Sequence, residues 1–439
     1  MKKMAKNIKV DIEDSNEYYV ETVTNLGEVE DIVASEDVYS KSGILLLKEG
    51  TKINKKTYNA LIKHKLKNPI DNSVSISDAV TNHELALNYY TQLDNFPLFS
   101  HLQLSIQNPD RLKNCLRQVD LNAAMRTKIT VAKKVNPKLY EHLLRVSICS
   151  VMIGIFMGLN NKDCDILASA GLFHDLGYLH IDPILLSTDK ILNAKELNFV
   201  YAHPIIMYNQ LIAMESYPKE TAVAILEHHE RLGGNGYPKG IKKYSNTYSA
   251  ILAITEVLIS MTESQTLDRA IVALKTNASK FDTKVMNAIF KVLLTREQIF
   301  DGYISSKEDL KLIANTLKER MKHWRDIEEE IKNKTSISNV KMINTRMFEF
   351  QKTTSHWGIN IEDKEIFSSH DDDPEIINDI IMLLEEALYI FRDIGREFYR
   401  NQTAQDIIET PEVLSEWINS TMDAVNSYHN KTIDINALV

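Results

Sequence analysis

Apolar residues recur at helical spacing along most of the chain, and this pattern predicts a mainly α fold. Residues 1–72 differ, because short apolar runs alternate there with polar breaks. Val29 to Val33 and Ile44 to Leu47 have the pattern of strands, and Lys55 to Leu66 has that of a short helix. We therefore expect a small α/β N-terminal domain over 1–72, for which a regulatory role is open.

The rest of the chain is interpreted as three helical segments. Residues 73–130 form a helical connector, and 131–300 hold the dense histidine clusters. Residues 301–439 form a C-terminal helical extension with long amphipathic stretches at Lys307 to Lys334 and Pro374 to Arg400. These amphipathic faces should be buried, either against the rest of the chain or in a homodimer.

Composition and charge narrow the classes of function. The net charge of -9 argues against general nucleic-acid binding, because tracking phosphates needs a positive surface. Cys115, Cys149 and Cys164 are isolated thiols, which suits a reducing compartment. The lysine-rich start has no apolar core behind it, and the longest apolar run, Val146 to Leu159, is too short to span a bilayer. We expect a cytoplasmic protein with no membrane segment.

Histidines and one aspartate cluster within fewer than ninety positions of the helical middle segment. An adjacent His-Asp pair offers an imidazole nitrogen and a carboxylate that can bind two cations at once. Fe, Mn, Zn and Co accept mixed nitrogen and oxygen ligands, whereas Ca and Mg prefer oxygen alone. Two such metals about 3.5–4 Å apart can activate a bridging water for phosphoryl displacement. The candidate ligands are His142, His174, Asp175, His203, His228 and His229.

A structural role explains some single histidines better than metal binding does. A lone histidine beside apolar residues is more often a packed core residue. A second His-Asp pair, His370-Asp371, lies in an acidic break before Pro374, where a helix N-cap explains it better. The adjacent pair His228-His229, just before a glycine-rich turn, is harder to explain by packing. The clustering of all six residues favours a metal centre.

The motifs in this segment resemble a known family. YEHLLRV, FHDLG, AHP and HHERLGGNGYP, followed by ILAITEVL and FDTKVMNAIF, are similar to the HD-GYP family of metal-dependent cyclic-dinucleotide phosphodiesterases. The resemblance covers about residues 135–295, and EDVYSKSGILLLKEGTKI resembles the small domain that often precedes such modules. It implies an HD-type all-helical catalytic domain over 131–300 that hydrolyses a cyclic dinucleotide, cyclic di-GMP first of all, to a linear dinucleotide or mononucleotides.

The resemblance also implies roles for individual residues. Two divalent metal ions, Fe or Mn, would be bound, with Asp175 as the bridge and Glu256 at the position of the family's later aspartate. A third metal is not expected, because Lys138 stands where the trinuclear variant has a glutamate. The implied metal ligands are His142, His174, Asp175, His203, His228, His229 and Glu256; the catalytic residues are His174, Asp175 and Tyr178; and the substrate-binding residues are Arg145, Arg231, Gly236, Tyr237 and Pro238.

Several positions depart from the family's pattern. Tyr178 stands where the family has a lysine, and Gly233 where it has an aspartate. The family's arginine-rich loop after the Glu256 helix is missing, since Met261 to Leu267 has no cation and the following pair offers only Arg269. A cyclic dinucleotide carries two negative charges, so these losses should weaken its binding unless other cations replace them. Candidate replacements are Arg145, Arg231, Lys133 and Lys134.

Three functional hypotheses follow from these residues. The first is metal-assisted hydrolysis of a cyclic dinucleotide, which the intact ligand set favours. The second is a catalytically weak or inactive HD-GYP-like signalling module that acts through protein partners. One such partner would be a GGDEF-type diguanylate cyclase that contacts the GYP loop, Gly236-Tyr237-Pro238. The third is a hydrolase of the HD type acting on another phosphoester. Turnover of cyclic dinucleotides by the metal-loaded protein distinguishes them.

Overall fold

A computed structural model describes residues 16–186, 194–234, 236–264, 267–293, 307–331, 340, 342–348, 350, 374–401 and 411–432. The described chain is mainly helical, which confirms the predicted fold class. It forms two compact units, Met1–Ser260 with Ala278–Arg296, and Met261–Asn277 with Glu297–Val439. The predicted boundaries at 72, 130 and 300 stay predictions.

A small α/β module opens the first unit. Strand β1 pairs antiparallel with β4, placing Ile32 opposite Ile76, and β2 pairs with β3. The strand predicted from Val29 begins only at Ile32, because the preceding residues turn away from the end of the first helix through backbone hydrogen bonds. The elements are α1 (Asn16–Leu26), β1 (Ile32–Ala34), β2 (Val38–Tyr39), β3 (Leu45–Leu47), α2 (Lys55–Lys63), a 3₁₀ helix Ile70–Asn72 and β4 (Val74–Ile76).

Helices build the remainder of the first unit. They are α3 (Asn82–Asn95), α4 (Pro97–Gln103), α5 (Pro109–Arg117), α6 (Ala123–Val135), α7 (Pro137–Phe156), α8 (Asn161–Phe173), α9 (Ala194–Val200), α10 (His203–Met214), α11 (Lys219–Glu227), α12 (Thr247–Ser264) and α14 (Thr283–Leu293), with short 3₁₀ helices at Leu176–His180, Pro183–Leu186 and Ala278–Lys280.

Helices α7 and α8 pack closely against each other in the core of this unit. The side chain of Asn136 caps α7, whose first residue is Pro137, and Asn160 with Asp163 forms a capping box at the start of α8. Among the described helices, α7 alone is long and apolar enough to cross a membrane by these two criteria. Since 67% of its apolar window is buried inside the fold, packing accounts for its composition.

The second unit is a helical assembly with its own core. It contains α13 (Leu267–Thr276), α15 (Lys307–Ile331), α16 (Pro374–Asn401) and α17 (Glu412–Thr432). Trp324 and Trp417 are buried with their ring centroids 4.9 Å apart, and Phe391 is buried with them. The two predicted amphipathic helices therefore form, although 332–334 lie outside the described residues. His370 and Asp371 also lie outside them, so their assignment as a helix cap stays a prediction.

Candidate metal centre

The ends of several helices bring the predicted ligands together. His142 lies near the start of α7, and His174 and Asp175 follow the last turn of α8. His203 is the first residue of α10. His228 and His229 follow α11, and Glu256 lies within α12. Helix ends suit this purpose, because a side chain there can turn inward without interrupting helical packing.

One group of ligands surrounds the Oδ2 atom of Asp175. The Nε2 atoms of His142 and His174 each lie 3.0 Å from Glu256 Oε2. The same nitrogens lie 3.9 and 3.3 Å from Asp175 Oδ2. These four residues converge on one point, and Glu256 takes part despite being longer than the aspartate expected from the family.

A second group surrounds the other oxygen of the same carboxylate. His203 Nε2 lies 3.0 Å from Asp175 Oδ1, and His228 Nε2 lies 3.4 Å from it. His229 completes this group. Within each group the ligand atoms all lie within 4.8 Å of one another. Asp175 is thus shared, with one oxygen facing each group, which is the geometry of a bridging carboxylate.

Backbone carbonyls fix the orientation of three of the imidazoles. The Nδ1–H groups of His174, His203 and His228 donate to the carbonyl oxygens three residues earlier, at 2.8, 2.8 and 2.6 Å. A carbonyl only accepts, so Nδ1 carries a proton and Nε2 points to the centre, where it can bind a metal ion once it carries no proton of its own. Metal-ligating histidines are commonly held in this way.

The electrostatics of the site keep most ligands in the form that binds metal. Burial alone would raise the pKa of Asp175, but His174 and His203 outweigh it and hold that pKa well below its usual range. Burial lowers the pKa of His228 to about 4. His174 differs, because Asp175 and Glu256 overcome burial and raise its pKa to about 9. A metal ion would replace the proton that His174 holds between these carboxylates.

Unsatisfied polar atoms support the fit to a metal. Within the described part of the chain, Asp175 Oδ1, His174 Nε2 and His229 Nε2 are buried yet have no hydrogen-bond partner of suitable geometry. Buried polar atoms nearly always find such a partner, so atoms that converge without one indicate a missing ligand. Five imidazoles and two carboxylates are the mixed donor set that Fe, Mn, Zn or Co accepts.

The predicted substrate residue Arg145 makes contacts within the fold. Its Nη2 lies 2.9 Å from Glu141 Oε2, and its Nε donates to Gln92 Oε1 at 2.7 Å. Its guanidinium also stacks over the ring of Phe96 at 4.6 Å. Of the other candidate cations, Lys133 pairs with Glu84, and Lys134 pairs with Glu30 and Asp78. A substrate role for Arg145 stays a prediction, and it requires exchange of these contacts.

The GYP loop lies against the second ligand group. The ring of Tyr237 stacks between His229, with centroids 4.5 Å apart, and Tyr201, at 4.1 Å. A Cβ at Gly236 would lie 2.2 Å from the backbone nitrogen of Arg231, so only glycine fits there. Pro238 follows through a cis peptide bond. The loop's aromatic face is thereby placed beside the metal ligands.

Arg231 and Tyr178 occupy different surroundings near this loop. Arg231 Nη1 donates to the carbonyls of His228 and Glu230, and its guanidinium lies over the ring of Phe281. The ring of Tyr178 packs on His203 with centroids 4.0 Å apart, and its hydroxyl is buried without a hydrogen-bond partner among the described residues. Tyr178 therefore lies next to the second ligand group.

Comparison with known proteins agrees with this geometry. Residues 126–285 match the family model described as HD domain. The chain is 28% identical over 160 residues to the cyclic di-GMP phosphodiesterase PdeB of Borreliella burgdorferi, covering 35% of this chain and 42% of that protein. It is 29% identical to the cyclic di-GMP phosphodiesterase response regulator RpfG of Xanthomonas campestris pv. campestris, covering 36% and 44%. It is 30% identical to 3'3'-cGAMP-specific phosphodiesterase 1 of Vibrio cholerae, covering 29% of each.

Residues 126–285 are therefore similar to HD domains, and the relatives that the chain matches over this segment are cyclic-dinucleotide phosphodiesterases. The chain spans less than half the length of each of these relatives. A solved structure, Bd1817, a HDG"Y"P protein from Bdellovibrio bacteriovorus, is 17% identical and aligns with a TM-score of 0.33, covering 60% of this chain and 96% of that one. That score is too low to support a structural argument.

The residues that depart from the HD-GYP pattern have different surroundings in the structure. Glu256 reaches both His142 and His174, so the longer side chain is compatible with the first ligand group. Lys138 is exposed on the first turn of α7. Arg269, the single cation after α12, lies 3.2 Å from Glu385. Gln265 and Thr266, which stand where the family has its arginine-rich loop, lie outside the described residues.

Sequence reasoning missed the buried glutamates that hold the GYP loop. Glu230 accepts hydrogen bonds from the backbone N–H groups of Lys239, Gly240 and Ile241. Glu227 accepts from the backbone and the hydroxyl of Ser245. A glutamate on each side of the paired histidines was the signal that the sequence offered. Tyr201 had no comparable signal, because it meets Tyr237 only through the fold.

Proposed function

We propose that this chain is a metal-dependent phosphodiesterase that hydrolyses a cyclic dinucleotide, with cyclic di-GMP as the preferred substrate, to a linear dinucleotide or mononucleotides. The observation that carries the proposal is the Asp175 carboxylate, each of whose oxygens faces a separate group of ligands. A shared carboxylate between two groups has little purpose in a protein that binds only through its surface. The names of the relatives supply the substrate class.

The proposed cofactor is a pair of divalent ions, Fe or Mn. His142, His174, Asp175 and Glu256 would hold one ion, and Asp175, His203, His228 and His229 the other. Such ions, when bound, lower the pKa of water and neutralise the charge on phosphate oxygens. The chain's own contribution is to hold the imidazoles rigidly through their Nδ1–H hydrogen bonds and to keep the carboxylates ionised.

Tyr178 is proposed to act on the substrate directly. Burial first, and then the charge of Asp175, raise the pKa of its hydroxyl well above the usual value, so the phenol keeps its proton. A protonated phenol can donate a hydrogen bond to a phosphate oxygen or to the leaving 3′-oxygen. It brings no positive charge, so we expect weaker attraction for the dianionic substrate than a lysine would provide.

A neutral donor at this position also makes substrate choice an open experimental question. Two relatives from Vibrio cholerae are named 3'3'-cGAMP-specific phosphodiesterases. The experiment should therefore compare cyclic di-GMP, 3'3'-cGAMP and a mononucleotide as substrates. Protein purified without air and loaded with Fe(II) or Mn(II) is mixed with each, and products are separated by chromatography.

We expect turnover of at least one cyclic dinucleotide, and its reduction to background in Asp175→Asn. The Asn variant is the matched control, because it keeps the size of the side chain and removes the charge shared by both groups. Hydrolysis of mononucleotides alone would favour another HD-type phosphoester hydrolase. Absence of turnover by the fully metal-loaded chain would favour the weak or inactive signalling module and contradict the proposal.

The proposal also covers the cellular location, the protein partner and the oligomeric state. We propose a cytoplasmic protein without a membrane segment, which meets a GGDEF-type diguanylate cyclase through the GYP loop and forms a homodimer. General nucleic-acid binding is not proposed, given the net charge of -9. Sedimentation at several concentrations tests the homodimer, and pull-down with a purified GGDEF domain tests the partner.

A further inference from the structure

A fully buried lysine lies in the first unit, outside the metal centre. The side chain of Lys128, on α6, is 0% exposed. Lysines are almost never buried to this extent unless they are paired. Its partner is Asp71, whose Oδ2 lies 2.7 Å from Lys128 Nζ and whose side chain is 2% exposed. An ion pair this deep is seldom a gain in stability over apolar residues, so its presence calls for another explanation.

The contacts of Lys128 join the N-terminal module to the HD domain. Asp71 belongs to the 3₁₀ helix between α2 and β4, and Tyr19 belongs to α1. Lys128 Nζ lies 4.1 Å from the ring centroid of Tyr19. The module thus provides both a counter-ion and an aromatic face for a lysine of the HD domain.

The same ammonium group reaches the segment that follows the metal-bridging aspartate. Lys128 Nζ lies 2.8 Å from Nε2 of His180. A lysine ammonium can only donate, so His180 accepts through Nε2. The ring of Tyr19 stacks on that of His180, with centroids 4.6 Å apart and planes 17° apart. His180 is thereby fixed at its edge by Lys128 and at its face by Tyr19.

His180 is the last residue of a short 3₁₀ helix, Leu176–His180, that begins directly after Asp175. This helix is packed against the start of α10, where a Cβ on Gly177 would lie 2.3 Å from the carbonyl oxygen of His203. It also carries Tyr178, whose ring contacts His203. A shift of His180 would therefore be passed along one helical turn to Asp175 and Tyr178.

We propose that Lys128 is a positioning residue that makes the N-terminal module part of the metal centre. Its contacts with Asp71 and Tyr19 require the module to be docked. Its hydrogen bond to His180 holds the 3₁₀ helix that follows Asp175. The module can then regulate the enzyme, because a change in its packing would change the position of the Asp175 carboxylate. This inference rests on the proposed function only in taking the seven ligands to bind metal.

The test uses the full chain with Mn²⁺ as the probe and compares two pairs of variants. His180→Leu removes the acceptor for Lys128, whereas His180→Gln keeps an amide oxygen near the position of Nε2. Lys128→Met combined with Asp71→Leu removes both buried charges together, which avoids an unpaired charge and should preserve folding. Lys113→Met is the control, since Lys113 is exposed on α5 and belongs to neither ligand group.

The readouts are the affinity and number of bound Mn²⁺ ions, the electron paramagnetic resonance spectrum of the coupled pair, and the midpoint of thermal unfolding. Mutation of outer groups that orient metal ligands typically weakens metal binding by about tenfold to 100-fold. We expect a loss of roughly tenfold or more in His180→Leu and in the double variant. His180→Gln and Lys113→Met should stay near the wild-type affinity.

A purely structural role predicts a different result. In that case the double variant, once folded, would bind Mn²⁺ with wild-type affinity and give the wild-type spectrum, and this outcome would overturn the inference. A wild-type chain that binds no Mn²⁺ would instead refute the proposed function, and with it the premise of the inference. The two failures are thus distinguished by the wild-type measurement alone.

Discussion

Replacement of Gly177 by alanine tests whether the close packing behind Asp175 sets the geometry of the centre. The added Cβ would lie 2.3 Å from the carbonyl oxygen of His203 and 2.8 Å from its Cα. These are backbone atoms at the start of α10, so no side chain can rotate away. The gap must widen by about 0.7 Å to reach the 3.0 Å below which such contacts are essentially never seen.

The size of the effect follows from that displacement. Overpacking of a close contact typically costs about 1–3 kcal/mol of unfolding free energy. A misplacement of about 1 Å can reduce catalysis by roughly 100-fold. Since the Gly177 contact joins the residue two positions after Asp175 to a ligand of the second group, we expect Mn²⁺ affinity and turnover to fall about tenfold to 100-fold.

The assay combines urea unfolding with Mn²⁺ titration of the folded protein. Gly154→Ala is the control, because its Cβ would meet the end of the Leu167 side chain at 2.6 Å, which can move, and lies away from the ligands. That variant should change the unfolding free energy by no more than about 1 kcal/mol, given the helix preference of alanine. If Gly177→Ala keeps wild-type stability and Mn²⁺ affinity, the proposed rigidity of this segment is wrong.

Substitutions at three further positions test other parts of the site. Tyr178→Lys should lower the KM for a cyclic dinucleotide by about tenfold, since a charge-assisted hydrogen bond is worth about 1.5–3 kcal/mol. Tyr178→Phe should raise the KM, because it removes the hydroxyl donor. Equal KM values in the wild type and both variants would contradict a contact between Tyr178 and the substrate. Glu256→Gln should weaken one of the two Mn²⁺ sites, because Glu256 belongs only to the ligand group that contains His142 and His174. Equal weakening of both sites in a titration would contradict the division of the ligands into two groups. Glu230→Gln should lower the unfolding free energy by about 1–3 kcal/mol in urea, because one carboxylate accepts three backbone N–H groups; no change would show that the loop is held in another way.

The candidate metal ligands could be chosen from the sequence because their signals are local. A His-Asp pair and a His-His pair, each at the end of an apolar helix, are visible without knowing the fold. The structure brings all seven candidate ligands into two groups that share Asp175, and their binding of metal stays a prediction. The predicted helices of the second unit follow equally from periodic apolar positions, as Pro374–Asn401 illustrates.

What the sequence could not provide depends on contacts between distant positions. Lys128 and Asp71 are 57 positions apart, and nothing around either residue indicates a buried ion pair. Arg145 has the charge expected of a substrate-binding residue, yet its hydrogen bond to Gln92 arises from the packing of α7 against α3. Short strands such as β2, which has two residues, leave too few positions for an alternating pattern to be seen.

The central claim is that Asp175 joins two metal ions in one site. Elemental analysis of the full chain, purified without air, measures it most directly when wild type and Asp175→Asn are compared. We expect two Fe or Mn ions per wild-type chain and a loss of metal in the variant. One ion or none in the wild type, or an unchanged metal content in Asp175→Asn, would contradict the claim.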